Sequence, residues 1–339
     1  MKVSMSQATA NNGNAVGLDV GTSRIVTARR ADDDFRYQTE LNAFVSIPYS
    51  KMAEQTLRKE RVLHSVQSGE IVVQGTESER FADLLGVEMR RTMSRGVLNS
   101  DEPESLEQIR QILEAMIGPA KAKGQKLCFS VPAEPVGSTD TVGYHETSIR
   151  QILTDLGYNV RSIHEGLAVA YSELEASNYT GIGVSCGGGL CNVSLCYMSV
   201  PVLSFSIPRG GDYIDTNAAT ATGELINRIR ITKEDSFHFN GYYADKTLQA
   251  LNVYYDEVIQ SLVAAMRDAF ESSKSLPKLK RPIPMVLSGG TVMPRGFRDR
   301  FEKAVKESSF PIAVSEIRLA ANPLESTAKG ALIAAMTED

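Results

Sequence analysis

The sequence predicts an α/β protein of two related lobes with a ligand cleft between them. Three observations carry that prediction. Residues 181–193 run Gly-Ile-Gly-Val-Ser-Cys-Gly-Gly-Gly-Leu-Cys-Asn-Val, and a second apolar run follows over 194–202. This reads as strand, glycine turn, strand. The same figure occurs earlier, over 17–26, as Gly-Leu-Asp-Val-Gly-Thr-Ser-Arg-Ile-Val. Gly17 then matches Gly183, Asp19 matches Ser185 and Gly21 matches Gly187, one copy in each half of the chain. Two further glycine loops, Arg-Gly-Gly-Asp at 209–212 and Ser-Gly-Gly-Thr at 288–291, also follow apolar runs. Glycine lets a bulky ligand approach the backbone, and exposed N–H groups in such turns form concave anion sites. A nucleotide site split between two lobes accounts for all four loops.

The bulk properties agree with this picture. A chain of 339 residues exceeds one ordinary core and suits two lobes. With 42% hydrophobic and 23% charged residues, the composition is that of a soluble globular protein. A net charge of −5 gives no general reason to expect nucleic acid or an anionic membrane as partner. No apolar run approaches the ~20 residues of a membrane helix. Residues 1–14 are polar, lack the pattern of a secretion signal and read as a disordered tail. Four cysteines in a chain of this length suggest a reducing compartment, and so a cytoplasmic location.

In order, 16–29 reads as the first strand pair and 38–48 as extended chain ending at a proline. Residues 65–75 alternate around Gly69 and Glu70 as a hairpin. Residues 77–91 have helical spacing, with Phe81, Leu84, Leu85, Val87 and Met89 apolar. Arg90, Arg91 and Arg95 beside them read as a solvated basic face. Glu102 and Pro103 open a helix reaching about 117. Strand 126–131 stops at Pro132, helix 145–156 ends at Gly157, and 160–163 is a short strand. The helix at 165–176 is rich in small residues: Gly166, Ala168 and Ala170. Another helix is expected near 214–226. Over 248–272, Leu251, Val258, Leu262, Met266 and Phe270 share one face of an amphipathic core helix. Strand 284–287 leads into the fourth glycine loop, followed by a helix over 294–308. Pro323 opens the last helix, whose Ala328, Gly330 and Ala331 mirror the earlier small set. Two helices with small faces can cross closely, which suits a joint between lobes.

On these motifs the chain resembles the actin-like ATPase superfamily, and within it the MreB-type bacterial actins. Residues 17–23 resemble the first phosphate loop and Gly187, Gly188 and Gly189 the second. Glu165, opening Glu-Gly-Leu-Ala-Val-Ala, resembles the first connecting segment, and Ala328-Lys329-Gly330-Ala331 the second. Ser288-Gly289-Gly290-Thr291 resembles the adenosine loop. Arg95-Gly96-Val97-Leu98 and Val131-Pro132 fall where such proteins carry similar short signatures. The resemblance implies a duplicated, ribonuclease H-like fold with a nucleotide cleft between the lobes. It divides the chain into a tail (1–14), lobe I (15–165, small subdomain about 36–95), a connecting helix (166–177), lobe II (178–322, small subdomain about 215–250) and a C-terminal connecting helix (323–339) returning to lobe I. The division-associated FtsA branch fits less well, because the insert in the first lobe sits where ordinary bacterial actins have theirs.

The resemblance also implies cofactors, ATP and Mg²⁺, and roles for particular residues. Asp19 matches the first-loop carboxylate that holds the waters of Mg²⁺, an ion bound through one or two carboxylates and phosphate oxygens. Gly21, Thr22, Ser23 and Arg24 are phosphate-contact candidates, although Arg24 replaces the more usual Asn or Lys. Glu165, at a helix start, is placed to orient or deprotonate the attacking water; the plainer reading is a glutamate stabilised by the helix dipole. His164 reads as structural. Ser185 stands where the family usually has Asp, so ATP binding with slow hydrolysis is expected. Gly211 and Asp212 should border the nucleotide, Glu234 reaches for the ribose, and Gly289, Gly290 and Thr291 face the adenosine. Phe237 stands where a Lys is expected. Cys186, Cys191 and Cys196 alternate faces along a hairpin with no His nearby, and read as buried thiols rather than metal ligands.

The expected function is that of a cytoskeletal ATP-binding filament former with weak ATPase activity, its partner being further copies of itself. Head-to-tail contacts that do not close give filaments. The alternative is a nonpolymerising ATP switch or adaptor acting on a protein partner; a small-molecule kinase ranks last. Membrane contact is unsupported, with only modest apolar surface expected from 41–49.

Overall fold

The computed structural model describes residues 15–337, apart from 33, 137–141, 240, 244, 275, 278 and 280. The tail at 1–14 lies outside the described residues. The chain opens with β1 (Val16–Val20), β2 (Arg24–Ala31), β3 (Asp34–Leu41) and β4 (Ala43–Pro48). Then come α1 (Lys51–Glu60), β5 (His64–Gln67), β6 (Glu70–Gln74), α2 (Glu77–Leu85), β7 (Arg90–Arg91), β8 (Met93–Ser94) and β9 (Val97–Leu98). Next are α3 (Ser105–Ile117), β10 (Lys126–Val131), α4 (Val142–Asp155), β11 (Asn159–His164) and α5 (Glu165–Glu173). The second half holds β12 (Gly181–Cys186), β13 (Cys191–Tyr197), β14 (Val200–Ile207), α6 (Gly211–Thr222), α7 (Ile226–Asp235) and α8 (Lys246–Ser272). It closes with β15 (Ile283–Ser288), α9 (Phe297–Glu307), β16 (Val314–Leu319) and α10 (Ser326–Thr337).

Two five-stranded sheets centre the two lobes. Their orders are β11-β10-β1-β2-β3 and β16-β15-β12-β13-β14. Each has a first strand paired antiparallel to its successor and parallel to a later strand: β1 with β2 and β10, β12 with β13 and β15. The duplication read from the glycine turns therefore extends to the whole sheet. A third sheet, β5-β6-β4-β7, has its own small core of Val45, Ile47, Leu57, Ile71, Val73 and Ala82.

The connecting helices meet as their small residues require. A Cβ on Gly330 of α10 would overlap the Ala168 carbonyl oxygen of α5. The matched glycines lie beneath the same two helices: a Cβ on Gly17 would overlap Ala328 O, and one on Gly183 would overlap Gly166 O. Van der Waals contact across these small residues replaces the usual interleaving of large side chains.

Several expectations are corrected. The helix at 77–91 stops at Gly86, which takes φ 65° and donates its N–H to Ala82 O; Arg90 and Arg91 instead form β7. The sequence reading passed over α1, which is capped by Ser50 accepting the Ala53 N–H at 3.2 Å, and also passed over β16. The run at 194–202 is not one strand: β13 ends at Tyr197, the chain turns through Met198 and Ser199 at positive φ, and β14 begins. The helix expected at 214–226 begins at Gly211 and ends at Thr222, where Gly223 takes φ 77°. The 41–49 stretch offers little apolar surface, because Ala43, Phe44, Val45 and Ile47 are buried on a strand paired on both sides.

Candidate functional site

The four glycine turns converge. The β1–β2 and β12–β13 hairpins, the start of α6 and the loop after β15 surround one cleft of about 940 Å³. Asp19, Gly21, Thr22, Ser23 and Arg24 line it from the first lobe, with Glu165 at the N-terminus of α5. Ser185, Gly187, Gly188 and Gly189 face them, joined by Gly211 and Asp212 and, further along, by Glu234, Gly289, Gly290 and Thr291. Every site residue singled out in the sequence therefore lies on this one surface.

The turns are held by their own backbones. Gly21 N–H donates to Arg24 O at 3.0 Å and Gly187 N–H to Leu190 O at 2.9 Å. Those two groups close hairpins and are spent on that task, so any anion cradle must come from the residues between them. The loops are also tied together. Thr291 Oγ1 donates to Gly187 O at 2.8 Å, and the N–H groups of Gly211 and Asp212 donate to Gly187 O and Gly188 O. Gly289 takes φ 94°, and a Cβ there would overlap the Cys186 carbonyl.

At one end of the cleft stand the two carboxylates. Ser130 Oγ donates to Asp19 Oδ1 at 2.6 Å. Burial raises the Asp19 pKa, which this hydrogen bond partly offsets. Ser185 Oγ donates to Glu165 Oε2 at 3.0 Å. The Glu165 pKa is pushed well above the usual carboxylate range, first by burial and then by the charge of Asp19, against the pull of Ser185 and Asn192. Two mutually repelling carboxylates suit a hard cation that also takes phosphate oxygens. Among the described residues, no group of three or more His, Cys, Asp or Glu could hold a metal by itself.

At the other end, Lys233 Nζ donates to Asp215 Oδ2 at 2.8 Å and to Gly211 O at 3.3 Å. Arg24 reaches Glu234 across the cleft mouth at 3.5 Å, a partly exposed pair. Phe237 stacks on Tyr255 with centroids 4.9 Å apart and belongs to the lobe II core. Cys186, Cys191 and Cys196 are buried thiols.

Sequence reasoning missed Ser130, Asn192, Lys233 and Arg91. Lys233 adjoins Glu234. Asn192 lies opposite Ser185 in the hairpin register, which the glycine turn implies. Ser130 carried no signal, being remote in sequence from Asp19. The arginines are not a solvated basic face. Arg90 pairs with Glu102 at 2.5 Å over the Phe44 ring, and Arg91 pairs with Asp212 at 3.0 Å. Their strand runs alongside the cleft instead of along a surface helix.

Two lobes of matching topology, crossed by two connecting helices and opposing glycine turns across a cleft, define an actin-like protein. Solved structures share this fold. A MamK double helical filament matches with TM-score 0.73 at 15% identity, covering 96% of this chain and 99% of that one. MreB5 of Spiroplasma citri bound to AMPPNP matches with TM-score 0.61 at 13% identity, covering 93% and 94%. The ethanolamine utilization protein EutJ from Carboxydothermus hydrogenoformans matches with TM-score 0.54 at 16% identity, covering 94% and 89%. No curated protein matches the chain in sequence. The Volactin family model matches residues 15–335, and the chain belongs to that family.

Proposed function

We propose that this protein binds ATP with Mg²⁺ in the interlobe cleft and assembles head to tail into cytoskeletal filaments, hydrolysing ATP slowly. The carrying observation is the convergence of four glycine turns and two carboxylates on one cleft. The similar structures support the reading: one is a filament, another is bound to AMPPNP. In this reading the turns at Thr22–Ser23 and Gly188–Gly189 hold the phosphates, Gly289, Gly290 and Thr291 the adenosine, and Glu234 the ribose.

Asp19 is the residue to hold Mg²⁺, which supplies charge neutralisation on the phosphates when bound. Glu165 orients and deprotonates the attacking water; its raised pKa favours the neutral acid until a cation offsets the repulsion from Asp19. Ser185 contributes a neutral hydrogen bond to Glu165 where a second metal-facing carboxylate would otherwise stand, which slows the chemical step. The division into lobes 15–165 and 178–322 with connecting segments 166–177 and 323–339 belongs to the same proposal, as do a cytoplasmic location and self-association. Among the described residues, no helix is long and apolar enough to cross a membrane.

The test is high-speed sedimentation over a range of protein concentrations with Mg-ATP, Mg-ADP or no nucleotide, run beside Asp19→Ala. Pelleting above a critical concentration with ATP, lost in the variant, is the expected result. Nucleotide binding without pelleting would overturn assembly and leave the nonpolymerising switch.

A further inference from the structure

Arg91 and Asp212 form an ion pair across the cleft that the nucleotide reading leaves without a task. Arg91 Nη1 lies 3.0 Å from Asp212 Oδ1 and donates to Ser23 Oγ at 2.9 Å. Three separate elements meet at this guanidinium. Arg91 comes from β7, at the edge of the small sheet, registered against Ala43 of β4. Ser23 belongs to the first phosphate turn. Asp212 stands in the first turn of α6, and its N–H donates to Gly188 O of the second phosphate turn at 2.8 Å. The two turns touch here: a Cβ on Gly188 would overlap Ser23 Oγ. The side chains of the pair are 18% and 34% exposed, so both charges are largely withdrawn from water.

A purely structural ion pair would serve equally well anywhere along the lobe interface. This one sits between the two turns where phosphate is expected, and its arginine already bonds to a phosphate-turn hydroxyl. The planar guanidinium matches a phosphate bidentately, and a phosphate carries more charge than a carboxylate.

We propose that Arg91 senses the terminal phosphate of a nucleoside triphosphate. Without nucleotide, Asp212 holds the guanidinium. A third phosphate between Ser23 and Gly188 draws it off Asp212, and a diphosphate falls short of it. Because Arg91 is part of β7, the exchange couples the phosphate state to the small sheet. This rests on the nucleotide reading above.

Titration calorimetry of Mg-ATP and Mg-ADP against wild type, Arg91→Ala and Asp212→Asn tests it, with circular dichroism to check folding. Arg91→Ala is expected to weaken ATP about tenfold or more while leaving ADP within about twofold, since a charge-assisted bidentate contact is lost for one ligand only. Asp212→Asn, which frees the arginine, is expected to shift the ATP-to-ADP preference several-fold the other way. Equal losses for both nucleotides in Arg91→Ala, or no change in the preference in Asp212→Asn, would overturn the inference. If Arg91→Ala does not fold, the Asp212→Asn ratio decides alone. Wild type binding neither nucleotide would instead bring down the nucleotide reading, and this inference with it.

Discussion

The two phosphate hairpins share one backbone plan and differ in charge. In the first, Asp19 sits on β1 above Ser130 of the neighbouring parallel strand. In the second, the matching residue is Ser185 on β12, registered against Ser288 of its own parallel neighbour. Ser288 turns away, donating to Pro323 O at 2.8 Å, while Ser185 reaches Glu165 of the connecting helix. One lobe thus offers a carboxylate from its own hairpin; the other offers only a hydroxyl and borrows the connecting helix for its charge. The comparison teaches that the duplicated frame is preserved by backbone contacts, at Gly17 and Gly183, while the chemistry over it diverges freely.

The comparison breaks most severely at the frame. Gly330→Val, or Gly17→Ala and Gly183→Ala in parallel, should each cost about 3 kcal/mol or more, because a Cβ would enter backbone that has no room to move. Thermal melts of the three variants measure it; equal losses at Gly17 and Gly183 would show that the two halves are mechanically equivalent. Next comes the charged side. Glu165→Gln should lower phosphate release from ATP about 100-fold, as expected for a lost general base, with nucleotide affinity largely retained.

Ser185→Asp would give the second hairpin the charge of the first. Hydrolysis should rise roughly tenfold. The nucleotide-free protein should lose about 1–2 kcal/mol, since a third carboxylate joins Asp19 and Glu165; Mg-ATP should recover that loss. A steady-state phosphate-release assay and paired melts read both effects.

The pH dependence of the nucleotide-free protein sharpens the contrast further. The Glu165 pKa is raised in the folded state, so this group binds its proton more tightly folded than unfolded. Its stabilising contribution is present at low pH and is lost as pH climbs from the ordinary glutamate range, about 4.3, through neutrality. Melting temperature should therefore fall between about pH 5 and about pH 8 by an amount that Glu165→Gln removes. The smallest effect is expected for Ser130→Ala, which strips the hydrogen bond from Asp19 and should cost about 1 kcal/mol while raising the Asp19 pKa further. Carbonyl-region NMR of the Asp19 carboxyl would follow that shift.

Much of this was legible in the chain. The repeated spacing at 17–26 and 181–193 marked both hairpins and their pairing. Local glycine chemistry marked the other two loops, and the small residues of 165–176 and 323–337 marked the helix crossing. Those signals are short-range: a turn, a helix face or a strand end is set by a few neighbouring residues. What the chain could not display was contact across distance. That Ser130 lies under Asp19 follows from parallel pairing of β1 with β10, which no local pattern encodes. That Arg91 faces Asp212 depends on how the small sheet leans over the second lobe, and it overturned the reading of a solvated basic face. The sequence by itself determined the duplicated frame and the site's glycine turns, because backbone geometry needs particular residues at particular spacings. Only the tertiary structure decided which charges meet across the cleft, because ion pairs between remote elements depend on the packing of whole lobes.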